Sequence, residues 1–364
     1  MKILTCASDP GGARNIGPVL SEAVKANIEI VVWSSKQTKN IFLDYGIKSF
    51  NIQKYNNKKI KEKLLKENPD VILCGATRFG YKLPELHIID LAKINNIPCS
   101  VVLDEWFYYA RRFWNEKKEL KHLPDLIFCQ DRLAYKESQS EGIPKHILKI
   151  TGSPAHSDIF FNKRKLFFNK INKSNKNITN ILFVSEAHSE AYGSALGESG
   201  PHGNFQGYTE IIVRNILGKV IRLIGKKVIV NEKLHPNQKL QKIKPIKLTT
   251  GCKWNIYNIN SNLETLLFES DIVIGMRSAV LMEAWLLGKT VISFQPNLLT
   301  ENKCTTSRRG FIKHIVSEVD FHKELKECME KSKYSNINQK NPPQFCNINA
   351  SKNILKSLKE MIIK

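Results

Sequence analysis

Short, almost continuously apolar runs recur along the chain, and stretches with helical spacing of their apolar residues separate them. Strands that helices cover on both faces have this character, whereas a strand with one face in water alternates apolar and polar residues. The pattern therefore predicts an α/β protein with doubly wound parallel sheets. We interpret ten runs as strands: 3–8, 28–35, 70–76, 98–105 and 125–131 in the first half, and 180–186, 227–235, 246–251, 271–277 and 289–296 in the second.

A stretch rich in Lys and Asn separates the two series of strands. A chain of 364 residues is also too long for one ordinary core. We therefore expect two Rossmann-like domains facing across a cleft, over residues 1–157 and 179–340, joined by a linker at 158–178. Residues 341–364 are expected to form a C-terminal loop and an amphipathic helix.

Basic residues outnumber acidic ones by 56 to 34, which gives a formal charge of +22. This charge favours anionic partners such as nucleotides, phosphosugars or an anionic membrane face. The excess is mostly Lys in a chain that is also rich in Asn and Ile, a composition that an A+T-rich genome would encode anyway. No nucleic-acid motif appears, so nucleic acid is not an expected partner, while peripheral association with an anionic membrane stays open.

The eight cysteines never fall in a C-x-x-C pair, and four of them lie inside apolar runs. Buried thiols in a reducing cytoplasm explain this better than disulfides or a zinc site. The N-terminus lacks the layout of a signal peptide, and no run offers about 18 apolar residues. We expect a cytoplasmic protein, with the inner face of the membrane as an alternative location, and neither a metal nor a cofactor.

The turn Asp9-Pro10-Gly11-Gly12 lies where the first strand should lead into a helix that begins near Ala13. Glycines permit close approach, and a helix N-terminus offers N–H groups, so the turn suits a phosphate or a sugar. It is neither G-x-G-x-x-G nor a P-loop, which argues against a dinucleotide or Walker-type site. A tight packing corner is the alternative. Asp9 could act as a base, hold a substrate hydroxyl or cap the helix.

Asp104 and Glu105 follow a predicted strand, and aromatic residues and two arginines come directly after them. Open α/β sheets build their sites at the carboxyl ends of strands. Aromatic faces can stack on sugars or bases, and Arg111 and Arg112 could hold phosphate or carboxylate. The alternative is an aromatic lid packed on the core, with both arginines in solvent.

Two features of the second half also point to the carboxyl ends of strands. Lys233 and His235 end one predicted strand and could both face a diphosphate. Ser278 is the predicted N-cap of the helix that carries Glu283, an acidic residue in an otherwise apolar helix. A buried carboxylate there needs a partner, either a ligand hydroxyl or a basic side chain of this chain.

Residues 186–210 are predicted as a long loop with five glycines and two histidines. A loop this long inside a compact domain is usually functional or disordered. Glu186, His188 and His202 could therefore touch substrate, although no metal-ligand spacing appears.

The second half, with a strand, a Ser-capped helix carrying Glu283, Gly-Lys, a strand and Gln-Pro, resembles the donor-nucleotide half of GT-B fold enzymes. These include glycosyltransferases and UDP-sugar 2-epimerases. The His-Pro pair resembles that of bacterial GT-B transferases that use CMP-activated acidic sugars. The resemblance implies a metal-independent glycosyltransferase of surface polysaccharide biosynthesis, which moves a sugar from a nucleotide-activated donor to a glycan or lipid-linked acceptor. The alternative is a sugar-nucleotide epimerase or hydrolase like UDP-N-acetylglucosamine 2-epimerase, although the opening turn, DPGGARN, lacks the G-T-R-P-E pattern usual in that group.

The resemblance, together with the positions above, assigns three sets of residues. The predicted catalytic residues are Asp9, Asp104 and His235. The predicted donor-binding residues are Gly11, Gly12, Lys233, Ser278, Ala279 and Glu283. The predicted acceptor-binding residues are Asn15, Glu105, Trp106, Arg111 and Arg112.

Overall fold

Each half of the chain is built around its own parallel β-sheet. The computed structural model describes residues 1–76, 83–166, 178–238, 243–258, 260–330 and 341–363. The chain divides into two compact units, Met1–Asn162 with Asn341–Lys364, and Lys163–Lys340. The prediction of two Rossmann-like α/β domains is confirmed. Most of the predicted linker and residues 331–340 lie outside the described residues.

The described residues of the first unit form seven strands: β1 (Lys2–Ala7), β2 (Glu29–Ser34), β3 (Phe50–Asn51), β4 (Val71–Gly75), β5 (Cys99–Val102), β6 (Leu126–Cys129) and β7 (Leu148–Ile150). All pair in parallel, in the order β3-β2-β1-β4-β5-β6-β7. Its helices are α1 (Pro10–Lys25), α2 (Lys39–Asp44), α3 (Asn57–Glu67), α4 (Pro84–Ile94), α5 (Arg132–Ser140), α6 (Pro154–Asp158) and a C-terminal helix (Ala350–Ile363). The strands β3 and β7 were not predicted because two or three residues carry no recognisable pattern.

Helix α1 begins at Pro10, earlier than the start predicted near Ala13. Asp9 has an extended backbone, and its Oδ1 accepts the N–H of Gly11 at 2.9 Å. A carboxylate cap followed by proline, whose φ is already helical, is a favourable way to begin a helix. The predicted capping role of Asp9 is therefore present in the structure.

Where the structure describes the second unit, six strands form one parallel sheet: β8 (Thr179–Val184), β11 (Val228–Lys233), β12 (Lys253–Tyr257), β13 (Ile272–Gly275), β14 (Thr290–Phe294) and β15 (His314–Ile315). A hairpin is formed by β9 (Ser199–Gly200) and β10 (Gly203–Asn204). The order in the large sheet is β12-β11-β8-β13-β14-β15. The helices are α7 (His188–Tyr192), α8 (Glu210–Ile224), α9 (Leu263–Glu269), α10 (Val280–Leu286), α11 (Thr305–Arg308) and α12 (Glu318–Glu330). With these numbers the C-terminal helix of the first unit is α13.

Two predictions for the second unit are wrong. The strand predicted at 246–251 lies at 253–257, where Trp254 is buried and pairs with Val230 of β11. Ile246 and Leu248 lie in irregular backbone and pack on the core. Their apolar side chains therefore produced the sequence pattern of a buried strand. The segment 186–210 is also not a long structureless loop, because α7 and the β9–β10 hairpin lie within it.

The strand orders locate the place where each unit can bind a ligand. In the first sheet β1 lies between β2 and β4, and in the second sheet β8 lies between β11 and β13. In each case one neighbour is the next strand of that sheet along the chain, and the other comes later. In such sheets the crevice for a ligand opens at the carboxyl ends of the first strand and this later neighbour. No helix in the described part of the chain is long and apolar enough to cross a membrane.

Candidate functional site

The two glycines after β1 are packed against the protein itself. A Cβ on Gly12 would lie 2.9 Å from the Cα of Gly75, at the end of β4, and a Cβ on Gly11 would collide with Oδ2 of Asp104. Gly12 thus lets α1 cross the sheet at close range. Gly11 makes room for the carboxylate that the sequence marked as a catalytic candidate. Both glycines lie at the expected crevice of the first unit. Their close contacts with Gly75 and Asp104 agree with the alternative prediction, a tight packing corner.

Replacing Gly12 with alanine is expected to lower the free energy of unfolding by about 1–3 kcal/mol, because overpacking against backbone cannot be relieved by a rotamer change. Gly17→Ala, in the same helix, is the matched control, since the three atoms nearest to a Cβ there all belong to the ring of Tyr45, a side chain that can move, and not to backbone. Denaturant unfolding of both variants checks this. An equal loss in the free energy of unfolding for both variants would mean that the contact with Gly75 does not make the Gly12 substitution more costly.

Asp104 forms a buried ion pair with Arg112 at the carboxyl end of β5. Nη1 of Arg112 donates to Oδ1 of Asp104 at 2.7 Å and to the carbonyl oxygen of Ala76 at 2.6 Å. The side chain of Asp104 is 5% exposed and that of Arg112 is 0% exposed. Arg112, predicted to bind the acceptor, is therefore a partner of the carboxylate and is not directed to a ligand. Asp104 is left with an oxygen that faces Gly11.

Three of the six aromatic residues after Asp104 belong to the core: Trp106, Tyr109 and Phe113. The ring of Trp106 is 2% exposed, packs on Phe345 and donates its indole N–H to Asp131 at 3.1 Å. We therefore leave Trp106 out of the ligand-binding set. Glu105 and Arg111 are half-buried, and the guanidinium of Arg111 lies over the ring of Tyr108.

Asn15 is also held by the protein rather than directed outward. Its Nδ2 donates to the carbonyl oxygen of Gly11 at 3.2 Å, and its Oδ1 accepts from Oγ of Ser153 at 2.8 Å. Asn15 thereby ties the first turn of α1 to the start of α6 and is removed from the acceptor-binding set.

Glu85 is a further carboxyl group of this crevice, which was not predicted from the sequence. Its Oε1 accepts from the backbone N–H and the hydroxyl of Ser8, at 2.5 and 2.6 Å. Burial raises the pKa of Glu85, and the negative charge of Asp9 acts in the same direction. Its only sequence signal was an acidic residue early in the mainly apolar helix α4.

In the second unit, Lys233 and His235 at the end of β11 differ in what they can reach. Lys233 is buried, and its Nζ donates to the carbonyl oxygen of Asn258. Burial also lowers its pKa. His235 is half-buried, and its Nδ1 accepts the N–H of Asn237 at 3.2 Å. The proton of a neutral His235 ring therefore lies on Nε2, from which it can be donated to an acceptor.

The structure differs from two predictions at the turn between β13 and α10 and in the helix that follows it. The helix begins at Val280, so Ala279 holds the N-cap position, although Oγ of Ser278 still accepts the N–H of Val280 at 3.3 Å. Glu283 is half-buried rather than buried, because its apolar neighbours in α10 occupy the faces that contact the core. Ala279 is exposed. With only seven residues, this helix is too short to serve as an anion site by its N-terminus.

An ion pair occupies the crevice of the second unit. Glu186 follows β8 and Arg277 follows β13, and the backbone N–H of Arg277 donates to Oε1 of Glu186 at 2.7 Å. Nη2 of Arg277 donates to the hydroxyl of Tyr192 at 2.6 Å. Burial raises the pKa of Glu186, although Arg277 opposes this. Glu186 was predicted within the segment 186–210, whereas its partner Arg277 was not predicted.

His188 packs beside this ion pair with its ring stacked on Tyr208, at 4.4 Å between centroids. The residue is 2% exposed, and within the described residues its Nε2 has no hydrogen-bond partner. Burial, reinforced by the positive charge of Arg277, lowers the pKa of His188 to about 3, while Gln206 acts in the opposite sense. His188 is thus neutral at pH 7.

Acid is expected to destabilise the second unit through His188. The unfolded chain takes up this proton below pH 6.5, but the folded protein only near pH 3, so stability is complete above pH 6.5 and falls towards pH 3. Between pH 7 and pH 4.5 the loss from this group is about 2–3 kcal/mol. His188→Phe should reduce the pH dependence of denaturant unfolding by that amount, and His202→Gln, an exposed histidine of the same segment, should not. Identical pH profiles for His188→Phe and wild type would contradict the assignment.

In the described part of the chain, no cluster of His, Cys, Asp or Glu side chains is arranged to hold a metal ion. The eight cysteines are free thiols, and six of them are buried.

Solved structures of the same fold match over the whole length of the chain. No protein-family model and no curated protein matches it. A putative UDP-N-acetylglucosamine 2-epimerase from Listeria monocytogenes is 16% identical, with a TM-score of 0.68 over 99% of this chain and 96% of its own. UDP-GlcNAc 2-epimerase from Neisseria meningitidis, bound to UDP-GlcNAc, is 17% identical, with a TM-score of 0.65 over 99% and 100%. HepE from Anabaena, in complex with UDP and glucose, is 12% identical, with a TM-score of 0.60 over 99% and 100%. The likeness, together with the two parallel sheets, identifies the fold of this chain as GT-B-like, with two Rossmann-like domains.

Proposed function

We propose that the protein is a nucleotide-sugar epimerase or hydrolase that acts on UDP-N-acetylglucosamine or a close relative. The observation that carries the proposal is the full-length likeness to UDP-GlcNAc 2-epimerases, whose TM-scores of 0.64–0.68 exceed the 0.54 of MurG from Acinetobacter baumannii and the 0.60 of HepE. This reverses the order of preference that the sequence motifs suggested, in which transfer to an acceptor came first.

The carboxyl groups of the first unit support this chemistry. In this reaction a base takes the proton from carbon 2 while the electron pair of that bond forms a double bond to carbon 1 and UDP leaves with the electrons of the bond to carbon 1. UDP, or water in a hydrolase, then adds back to carbon 1 and a proton returns to the opposite face of carbon 2, so groups that accept and donate protons must be present. Asp104 is held by Arg112 with one oxygen towards Gly11, and Glu85 and Asp9 lie at the end of β1. We assign Asp104 as the base, because its position is fixed by an ion pair and by packing.

The second unit supports recognition of the nucleotide. Nδ1 of His235 accepts the N–H of Asn237, which leaves Nε2 as the ring nitrogen that can donate to a phosphate oxygen. Ser278 and Glu283 are near the turn after β13, at the crevice of this sheet, where hydroxyl groups of a nucleoside can be bound. Lys233 is left out of the donor-binding set because its ammonium group is bound to the backbone.

Incubation of the purified protein with UDP-GlcNAc, without any acceptor, tests the proposal. An epimerase converts the sugar nucleotide to its 2-epimer, and a hydrolase releases UDP and free sugar, which proton and phosphorus NMR distinguish. Asp104→Asn is the inactive control. A sugar nucleotide that stays unchanged without acceptor, yet is consumed when a glycan or lipid-linked acceptor is added, would overturn it.

Glycosyl transfer is the second candidate, and the likeness to HepE, solved with UDP and glucose, favours it. In this case the acidic side chain would deprotonate the acceptor hydroxyl as it attacks the anomeric carbon. The same assay with and without acceptor separates the two candidates. A panel of UDP-, GDP-, TDP- and CMP-sugars in thermal-shift measurements would identify the preferred nucleotide, since a ligand bound by the folded state raises the melting temperature.

A further inference from the structure

The ion pair of Glu186 and Arg277 lies at the carboxyl ends of β8 and β13, where the strand order of the second sheet reverses. In the sheet, Val184 at the end of β8 pairs with Gly275 at the end of β13. Glu186 and Arg277 each follow two residues later, so they leave the sheet side by side. Ligands of Rossmann-like sheets bind at this position. Neither residue is part of the binding set proposed above.

Glu186 holds the backbone of the turn that leads to Ser278. Its carboxylate accepts the N–H of Arg277, the residue before Ser278, at 2.7 Å. This backbone N–H is thus bound to a side chain that is 14% exposed. The turn is therefore fixed by the protein itself, without help from a ligand.

Arg277 extends this arrangement to the segment after β8. Its guanidinium contacts the hydroxyl of Tyr192 at 2.6 Å and Oε1 of Gln206 at 3.5 Å, and it lies 4.8 Å from the centre of the Tyr192 ring. Tyr192 ends α7 and Gln206 follows β10, so one side chain contacts both ends of the glycine-rich hairpin between them. His188, neutral beside Arg277, adds no repulsion.

We infer that Glu186 and Arg277 are positioning residues that hold the Ser278 turn and the segment 188–206 in the geometry for nucleotide binding. This inference rests on the function proposed above. A turn and a segment that are ordered before the ligand arrives do not have to be ordered by binding energy, so their pre-organisation strengthens affinity. The two residues act through Ser278 and the hairpin rather than on the reacting atoms.

Four variants test the inference. Arg277→Met removes the contacts with Tyr192 and Gln206, and Arg277→Lys keeps only the charge. Glu186→Ala releases the backbone N–H of Arg277, whereas Glu186→Gln keeps an acceptor for it. The matched control is Arg214→Met, which breaks a similar pair with Glu232, 2.8 Å apart in the same unit, on the side of the sheet that packs on Trp254.

Hydrogen exchange without ligand is the first measurement. Arg277→Met is expected to speed exchange in residues 193–206, and Glu186→Ala in residues 277–282, by at least about tenfold relative to Arg214→Met, because the lost contacts set local opening. Exchange in these segments that matches the control would overturn the inference.

Nucleotide affinity is the second measurement. Arg277→Met and Glu186→Ala should weaken UDP binding, and raise KM for the sugar nucleotide, by at least about tenfold with kcat within about threefold, as expected when only binding is affected. Glu186→Gln should restore affinity, and Arg277→Lys should restore it only in part. Faster exchange with unchanged affinity, or an equal loss in Arg214→Met, would overturn the inference. Wild-type protein that binds no nucleotide would overturn the proposed function instead, and hydrogen exchange would still decide whether the two residues hold both segments.

Discussion

Replacing Arg112 with methionine is expected to lower the free energy of unfolding by about 3–5 kcal/mol, because the variant leaves the carboxylate of Asp104 buried without its ion-pair partner. The pair is 2.7 Å long and both side chains are almost fully buried. The carbonyl oxygen of Ala76 loses its donor as well. Denaturant unfolding at pH 7 measures the loss.

The double variant Arg112→Met with Asp104→Leu separates the ion pair from packing. Removing both charges together is expected to recover most of the stability, since an apolar pair of similar volume is often as stable as a buried ion pair. Arg111→Met, in which the lost guanidinium lies over Tyr108 on a half-buried residue, should cost less than about 1 kcal/mol. A loss as large in Arg111→Met as in Arg112→Met would contradict the special role of Arg112.

Asp104→Asn is expected to lower kcat for the conversion of UDP-GlcNAc by about 10²–10⁴-fold, the usual contribution of a general base. Asparagine keeps the shape of the side chain and an oxygen for Arg112, so the protein should remain folded. Steady-state kinetics with NMR detection, on protein shown by circular dichroism to be folded, measures the effect.

Asp9→Asn is the matched control, because asparagine caps a helix about as well as aspartate does. Its kcat should fall by less than about tenfold if Asp9 serves mainly as the cap of α1, since a cap that is kept leaves the site in place. A larger fall in Asp9→Asn than in Asp104→Asn would make Asp9 the base and would contradict our assignment.

The sequence predicted that functional side chains lie at the carboxyl ends of the strands. It did not predict which groups those side chains contact. Asp104 and Arg112 are close in sequence, yet their ion pair depends on how the backbone folds back after β5. The same holds for Glu186 and Arg277, which are 91 residues apart and meet only because β8 and β13 are neighbours. Trp106 was predicted to bind the acceptor but packs in the core. An aromatic residue of the core and one that stacks on a sugar cannot be distinguished by sequence pattern.

The sequence by itself determined the two parallel sheets, because apolar runs that helices cover on both faces can be satisfied in few other ways. It also determined that α1 follows β1 at once, through Asp9 and Pro10. Only the tertiary structure decided what Gly11 and Gly12 make room for, since the atoms that approach them belong to Asp104 and Gly75. The physical reason is that apolar periodicity and capping are local properties, whereas burial, ion pairing and close backbone approach arise between segments that are brought together by the order of the strands.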